Sequence, residues 1–216
     1  MVDHETVFTD MYERNRWRAD ELLASDNAST SGPGSDIEQT KEIIQELPKL
    51  FKKHNITSVL DIPCGDFYWM RNVDLEGINY IGADVVKQTV EENIKKYEDR
   101  DNVLFCQLDL TKDLLPKVDL VFCRDCLVHF SFEDIHKALA NIVKSESTYL
   151  LATTFINRTE NADITTGEWR PLNLLQSPFS LPDPLMILDE NCMENEGSFN
   201  DKSLCLWQRG SLCSLS

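Results

Sequence analysis

Basic residues are few: 21 Lys and Arg stand against 37 Asp and Glu, a formal net charge of −16. A protein that grips nucleic acid needs cations to displace phosphate counterions. The balance therefore argues against DNA or RNA as the main partner, although a local basic patch is compatible with an acidic total. Long apolar runs are absent too, since none approaches the ~18 residues that a membrane span requires. The N-terminus, "MVDHETVFTDMYERNRWR", lacks the apolar stretch of a secretory signal. A disulfide framework is also missing. The seven cysteines are odd in number, scattered from Cys64 to Cys213, and several lie inside apolar runs. That is the pattern of reduced, buried thiols in a cytoplasmic protein. The N-x-S/T triplets at Asn27, Asn55 and Asn157 then read as chance. Cys123 and Cys126 form a C-x-x-C, but no second one exists to complete a common zinc pattern. Cys64 and His129 are the nearest additional ligands, buried thiols are the better reading, and no metal is expected.

What is present reads as one sizeable α/β domain. Residues 5–24 carry Phe8, Met11, Tyr12, Trp17 and Leu22 at roughly helical spacing. "SDNASTSGPGS", Ser25–Ser35, has no periodicity and reads as a loop or hinge. Ser35 and Glu38 form a capping-box signature for a helix bearing Ile37, Ile43, Ile44, Leu47, Leu50 and Phe51, which Pro48 should kink or split. Then "ITSVLDI", "YIGADVV", "VLFCQLDL", "VDLVFC" and "TYLLATTF" read as strands, with helices after the second and fourth. The latter helix is capped by Ser131 and Asp134. Strands this apolar are buried on both faces, which implies a mostly parallel sheet between helical layers, a Rossmann-like three-layer sandwich. Residues 156–184 break the rhythm, and loops that long are usually functional or disordered. "PLMIL" and "SLCLW" suit an antiparallel pair closing the sheet. Residues 1–35 form an N-terminal helical extension before a domain of residues 36–216. The extension is either a lid hinged at Gly32 and Gly34 or a packing helix.

In open α/β sheets, ligands bind beyond the carboxyl ends of the strands. The first three strands end in Asp61, Asp84 and Asp109, and the fourth ends in "CRDC" with His129 nearby. A carboxylate at Asp84 suits a ribose diol, and one at Asp109 suits an adenine amino group. Asp61 can fix the turn and orient an ammonium, and Gly65 lets backbone approach a ligand closely. Turn and cap roles compete for each acid taken singly. The dinucleotide fingerprint G-x-G-x-x-G and the P-loop are both absent, and Phe67 and Trp69 crowd the place where backbone would meet phosphate.

These residues resemble the seven-stranded, class I S-adenosylmethionine-dependent methyltransferases. They look most like a group with a D-x-P-C-G-D loop, a G-A-D second-strand end, a C-R-D-C-L-V-H segment, and late W-R-P-L-N-L and D-K-S-L motifs. The likeness spans nearly the whole chain. Pro63 and Phe67 stand where the common D-x-G-x-G-x-G loop has its first and third glycines. The resemblance implies seven strands with an antiparallel C-terminal hairpin and S-adenosylmethionine as cofactor. It implies that Asp61, Cys64 and Gly65 line the methionine end, Asp84 and Val85 the ribose, and Asp109 and Leu110 the adenine. Arg124 and Asp125 would lie beside the reacting sulfur.

Methyl transfer to a hydroxyl needs alignment and a proton acceptor. Asp125 and His129 are the catalytic candidates; four residues apart, they share a face if the segment is helical. His129, set among apolar residues, reads more readily as a structural histidine. Trp17, Trp69, Trp169, Arg170 and Asn173 mix flat apolar faces with polar donors, as a small polar substrate requires. Trp169 also suits a role pinning its loop. The expected acceptor is a small polar molecule, such as a sugar or another hydroxyl compound. A catalytically silent donor-binding partner, a protein methyltransferase and an NAD-dependent oxidoreductase are the alternatives.

Overall fold

Successive residues of a strand face opposite sides of a sheet, and the apolar runs here serve two cores in this way. Val59, Leu120, Phe122, Leu151, Leu204 and Leu206 enter one core. Their neighbours Leu60, Val121, Cys123, Leu150, Ala152, Cys205 and Trp207 enter the other. This computed structural model describes residues 3–14 and 29–212. Its sheet comprises β1 (Ser58–Asp61), β2 (Asn79–Asp84), β3 (Val103–Gln107), β4 (Leu120–Cys123), β5 (Tyr149–Phe155), β6 (Met186–Asp189) and β7 (Lys202–Gln208). The seven strands lie in the order β3-β2-β1-β4-β5-β7-β6. The first five are mutually parallel. The late pair is antiparallel as expected: β7 runs against β5, from Tyr149 opposite Gln208 to Phe155 opposite Lys202, and β6 runs against β7.

Helices cover both faces. α1 (His4–Glu13) precedes α2 (Ile37–His54), whose Ile43, Leu47, Leu50 and Phe51 pack with Val59 and Phe122. α3 (Lys87–Lys96) joins β2 to β3, and α4 (Phe132–Lys144) joins β4 to β5. α4 buries Ile135, Ala138, Leu139 and Ile142 on the opposite face, where Phe8 of α1 also packs. Two single turns, α5 (Glu194–Gly197) and α6 (Arg209–Leu212), flank β7. Among the described residues no helix is long and apolar enough to cross a membrane.

Local signals held in part. Ser131 caps α4 as expected, its hydroxyl accepting the Asp134 N–H at 3.2 Å. Ser35 does not cap α2; it closes a short 3-10 turn, Pro33–Ser35, and Asp36 is the N-cap residue. Pro48 does not split α2, which runs unbroken from Ile37 to His54. Proline removes one backbone donor, but buried residues on both sides of it, Ile43 and Leu47 before and Leu50 and Phe51 after, hold the two halves to one core. Residues 156–184 have almost no regular structure, yet Leu172, Leu174, Phe179 and Leu181 are buried in the main core. The helix expected over 5–24 is α1 for its first part; its remainder lies outside the described residues, Trp17 included.

Candidate active site

The chain builds outward from β1 to β2 and β3, then returns to place β4 on the other side of β1. Loops at such a switch point leave in opposite directions and open a crevice. A cleft with about 930 Å3 of empty space, part of it open to solvent, lies there. Its floor is made by residues that follow four strands: Asp61 to Gly65, Asp84 and Val85, Leu108 to Leu110, and Arg124 to Cys126 with His129 and Phe130. His4, Phe8 and Tyr12 of α1, with Ser31, Ser35 and Trp69, supply the rest of the wall. The three strand-end acids, Asp61, Asp84 and Asp109, thus share one cavity.

Their electrostatics differ. Asp61 is almost wholly buried and accepts a short hydrogen bond from the Tyr80 hydroxyl. Burial pushes its carboxyl up to about 8, against the pull of Tyr80 and Arg124, so it is largely protonated at pH 7. Asp84 accepts the Gly65 N–H at 3.1 Å and the Val86 N–H at 2.9 Å. Burial outweighs these donors and raises its pKa to about 6. Asp109 accepts the Thr111 N–H at 2.9 Å and its hydroxyl at 2.7 Å, and lies 3.2 Å from both His4 Nδ1 and Lys112 Nζ. Burial works against its charge, but His4 and Thr111 hold the carboxyl well below the usual range.

Gly65 lines the cleft and serves a second purpose besides. Its φ is +53°, and an added Cβ would lie 2.2 Å from Ser31 Oγ. The missing side chain thus also makes room for the segment before α2. Asp66 fastens that segment, accepting the Ser29 hydroxyl at 2.9 Å and the Thr30 N–H at 2.7 Å. Gly65→Ala is expected to destabilise the protein by about 1–2 kcal/mol from backbone strain alone and to displace Ser31. Adding Ser31→Gly should recover only the steric part. Thermal unfolding of both variants beside the parent checks this, and an unchanged melting temperature for Gly65→Ala would contradict it.

Arg124 and Asp125 lead away from the cleft into a buried charged cluster. Arg124 donates to Glu190 Oε2 at 2.8 Å and to the Gly34 carbonyl at 2.9 Å, and its guanidinium lies 5.4 Å from the centre of the Trp69 ring. Asp125 contacts Lys202 Nζ at 2.7 Å and Arg124 Nη1 at 3.3 Å. Burial opposes its ionisation, but Lys202 and Arg124 outweigh that and lower its pKa to about 2. Asp125 is thus a fixed carboxylate and a weak base. Lys202 lies inside the late D-K-S-L motif, whereas no local pattern marked Glu190. His4 was equally unmarked, because its contacts span more than a hundred residues.

Asp125 and His129 do not share a helix face. Asp125 has φ +52°, and Leu127–His129 is a 3-10 turn. Both nevertheless line the cleft. His129 Nδ1 lies 2.9 Å from the Glu168 carbonyl; a carbonyl only accepts, so the proton sits on Nδ1 and Nε2 is the basic nitrogen. Burial lowers the imidazole pKa to about 4, which keeps it neutral at pH 7.

The expected substrate contacts fare differently. Trp69 lines the cleft, whereas Trp169, Arg170 and Asn173 do not. The Arg170 guanidinium donates to the carbonyls of Leu127 at 2.9 Å, Phe130 at 2.8 Å and Ala162 at 3.2 Å. Asn173 is wholly buried and donates to the carbonyls of Arg158 at 2.7 Å and Ile156 at 3.3 Å. Arg170 staples residues 156–184 to the turn that carries His129, and Asn173 ties that segment to itself, because buried carbonyls need donors. Trp169 lies against Phe199 and Phe155. Phe67 does not crowd the cleft either: its ring is fully buried among Tyr80, Tyr97 and Phe105.

Residues 59–145, from β1 to the end of α4, match a family described as a methyltransferase domain. No curated protein sequence matches the chain. Among solved structures, the chain is similar to the magnesium protoporphyrin IX methyltransferase of Synechocystis PCC 6803, determined with bound SAM. The identity is 17% over 76% of this chain and 80% of that one, with a TM-score of 0.54. It is also similar to the N-methyltransferase NodS of Bradyrhizobium japonicum WM9, with 12% identity over 81% of this chain and 98% of that one, and a TM-score of 0.59. At these identities the likeness is one of fold. Residues 59–145 thus match a methyltransferase domain, and the chain around them shares its fold with two solved methyltransferases.

Proposed function

We propose that the cleft holds S-adenosylmethionine along the ends of β1, β2 and β3 and that the acceptor, a small polar molecule such as a sugar or other hydroxyl compound, meets it beside Trp69, Asp125 and His129. The observation that carries this reading is the convergence of Asp61, Asp84 and Asp109 on one cavity that continues to Asp125 and His129. The donor set suits the ligand. An ionised carboxylate has about four acceptor positions, and Asp84 uses two of them on backbone N–H groups, which leaves capacity for a ribose diol. Asp61 answers an ammonium, while Cys64, Gly65, Val85, Leu110 and Arg124 complete the wall.

When bound, S-adenosylmethionine supplies an electrophilic methyl group. The chain supplies alignment and a route for the acceptor's proton. Trp69 offers a flat face, fixed by the Arg124 cation. Asp125, held ionised by Lys202, accepts a hydrogen bond and orients the acceptor hydroxyl. His129, neutral with its tautomer set by Glu168, takes the proton at Nε2. Phe8 and Phe130 add apolar wall to the cleft beside His4. α1 together with Ser31 and Ser35 acts as the lid of this site, since they close one wall of the cleft.

Calorimetric titration tests the donor half. S-adenosylhomocysteine is expected to bind and to release protons at pH 7.5, because its ammonium favours the ionised form of Asp61. Asp61→Asn should remove that release, as read from buffers of different ionisation enthalpy. Binding without any Asp61-dependent release would overturn the assignment of Asp61 to the ammonium, and no binding would sink the donor site. The acceptor half is tested by S-adenosylhomocysteine production with small polyols, small amines and basic peptides. Turnover confined to the peptides would refute the small-acceptor reading.

A further inference from the structure

His4 occupies a position that a neutral histidine cannot fill well. Its Nδ1 lies 3.2 Å from Asp109, beyond the end of β3, and its Nε2 lies 3.2 Å from Asp134 on α4. A neutral imidazole carries one N–H and would turn a lone pair toward one of the two carboxylates; only the imidazolium donates to both. The ring also packs against Phe130, with centroids 5.3 Å apart. We propose that His4 is a positioning residue for donor binding: charged and pinned between Asp109 and Asp134, it clamps α1 against the nucleoside end of the cleft. This rests on the reading of the cleft as the S-adenosylmethionine site.

The surroundings favour the charged form. Behind Asp109 stand Lys112 at 3.2 Å and the Thr111 hydroxyl, and the Asp109 N–H goes to Asp113. Behind Asp134 stand Lys137 at 3.0 Å, the Thr166 hydroxyl at 2.6 Å and Ser131. On its own helix His4 is flanked by Asp3, which accepts from Thr6, and by Glu5. Two carboxylates thus touch the ring itself, and the two lysines meet those carboxylates rather than the imidazole. The hydrogen bond with Asp109 raises the His4 pKa above the ordinary value, ahead of the opposing effect of burial. α1 matters to the ligand because His4, Phe8 and Tyr12 all line the cleft.

The sign follows from linkage. The clamp has its full strength below the ordinary histidine pKa and is lost as pH rises through the raised value. Donor affinity contributed by His4 therefore falls with rising pH. Asp84 and Asp61 act in the opposite sense, since their ionisation favours hydroxyl and ammonium partners. They are retained in a His4 variant, so the difference between proteins isolates the clamp.

The test compares the full chain with His4→Gln and Asp134→Asn from pH 6 to pH 9. Amide exchange of α1, corrected for its intrinsic pH dependence, is measured without ligand, and S-adenosylhomocysteine binding is measured by calorimetry. In the unaltered protein α1 should lose protection as pH rises, whereas in His4→Gln it should be open throughout. Relative to His4→Gln, the unaltered protein's binding should weaken about fivefold or more across the range, the lower end of ordinary coupling between sites. Asp134→Asn should show an intermediate pattern. Equal α1 protection in the unaltered protein and His4→Gln, or binding curves that run parallel with pH, would overturn the clamp. If no variant binds S-adenosylhomocysteine, the donor reading fails and with it the role in binding, while the exchange data still decide whether His4 holds α1.

Discussion

Replacing Lys202 with methionine is expected to destabilise the protein by about 3–5 kcal/mol, the usual cost of removing one partner from a buried ion pair. Lys202 lies at the start of β7, opposite Phe155 of β5, with its ammonium 2.7 Å from Asp125 and 3.6 Å from Glu190. Both the lysine and Glu190 are almost fully shielded from solvent. Without the ammonium, Asp125 and Glu190 share Arg124 as their remaining close cation. Methionine fills much of the lysine volume, so the loss reports charge rather than a cavity. At ~2–4 °C per kcal/mol for a chain of this size, the melting temperature should fall by roughly 6–20 °C. Pairing the change with Glu190→Gln removes an anion with the cation and should recover a measurable part of the loss, as expected for coupled neighbours. A melting temperature within 2 °C or so of the parent would show that Asp125 and Glu190 accommodate themselves without Lys202.

Replacing Asp84 with alanine is expected to weaken S-adenosylhomocysteine binding by about 100-fold or more. Two hydrogen bonds from a ribose diol to a carboxylate are worth ~1.5–3 kcal/mol each, and every 1.4 kcal/mol is about tenfold in affinity. The change also leaves the Gly65 and Val86 N–H groups without their acceptor, so the loop around Cys64 loosens at the same time. Asp84→Asn separates the two effects. It keeps a carbonyl for the backbone and gives up the charge, and should lie between the parent and alanine. The check is calorimetry beside thermal unfolding. Affinity within threefold of the parent for Asp84→Ala, in a folded protein, would place the ribose elsewhere.

Much of the site was legible because its signals are local. An apolar run that ends in an acid and then turns marks a strand tip, and three such tips in succession mark one rim of a sheet. Asp61, Asp84 and Asp109 follow that rule, as do Arg124 and Asp125. Phe67 shows where local reading stops. Its bulk suggested crowding at the ligand, yet with φ +55° its side chain turns into an aromatic cluster of the core. Arg170 and Asn173 looked like substrate contacts because exposed arginine and asparagine commonly are. Buried, they satisfy backbone carbonyls instead: Arg170 holds the turn that bears His129, and Asn173 holds the segment after β5 together.

The sequence by itself determined the strand runs, the acids at their ends and the antiparallel closing pair, since hydrophobic period and turn chemistry act over a few residues. Only the tertiary structure decided the partners of those acids. His4 reaches Asp109 and Asp134, Lys202 reaches Asp125, and Ser31 fills the place of a Gly65 side chain, each across tens of residues or more. Such pairings are set by how helices and strands pack, and spacing along a chain carries no record of a contact made through the core.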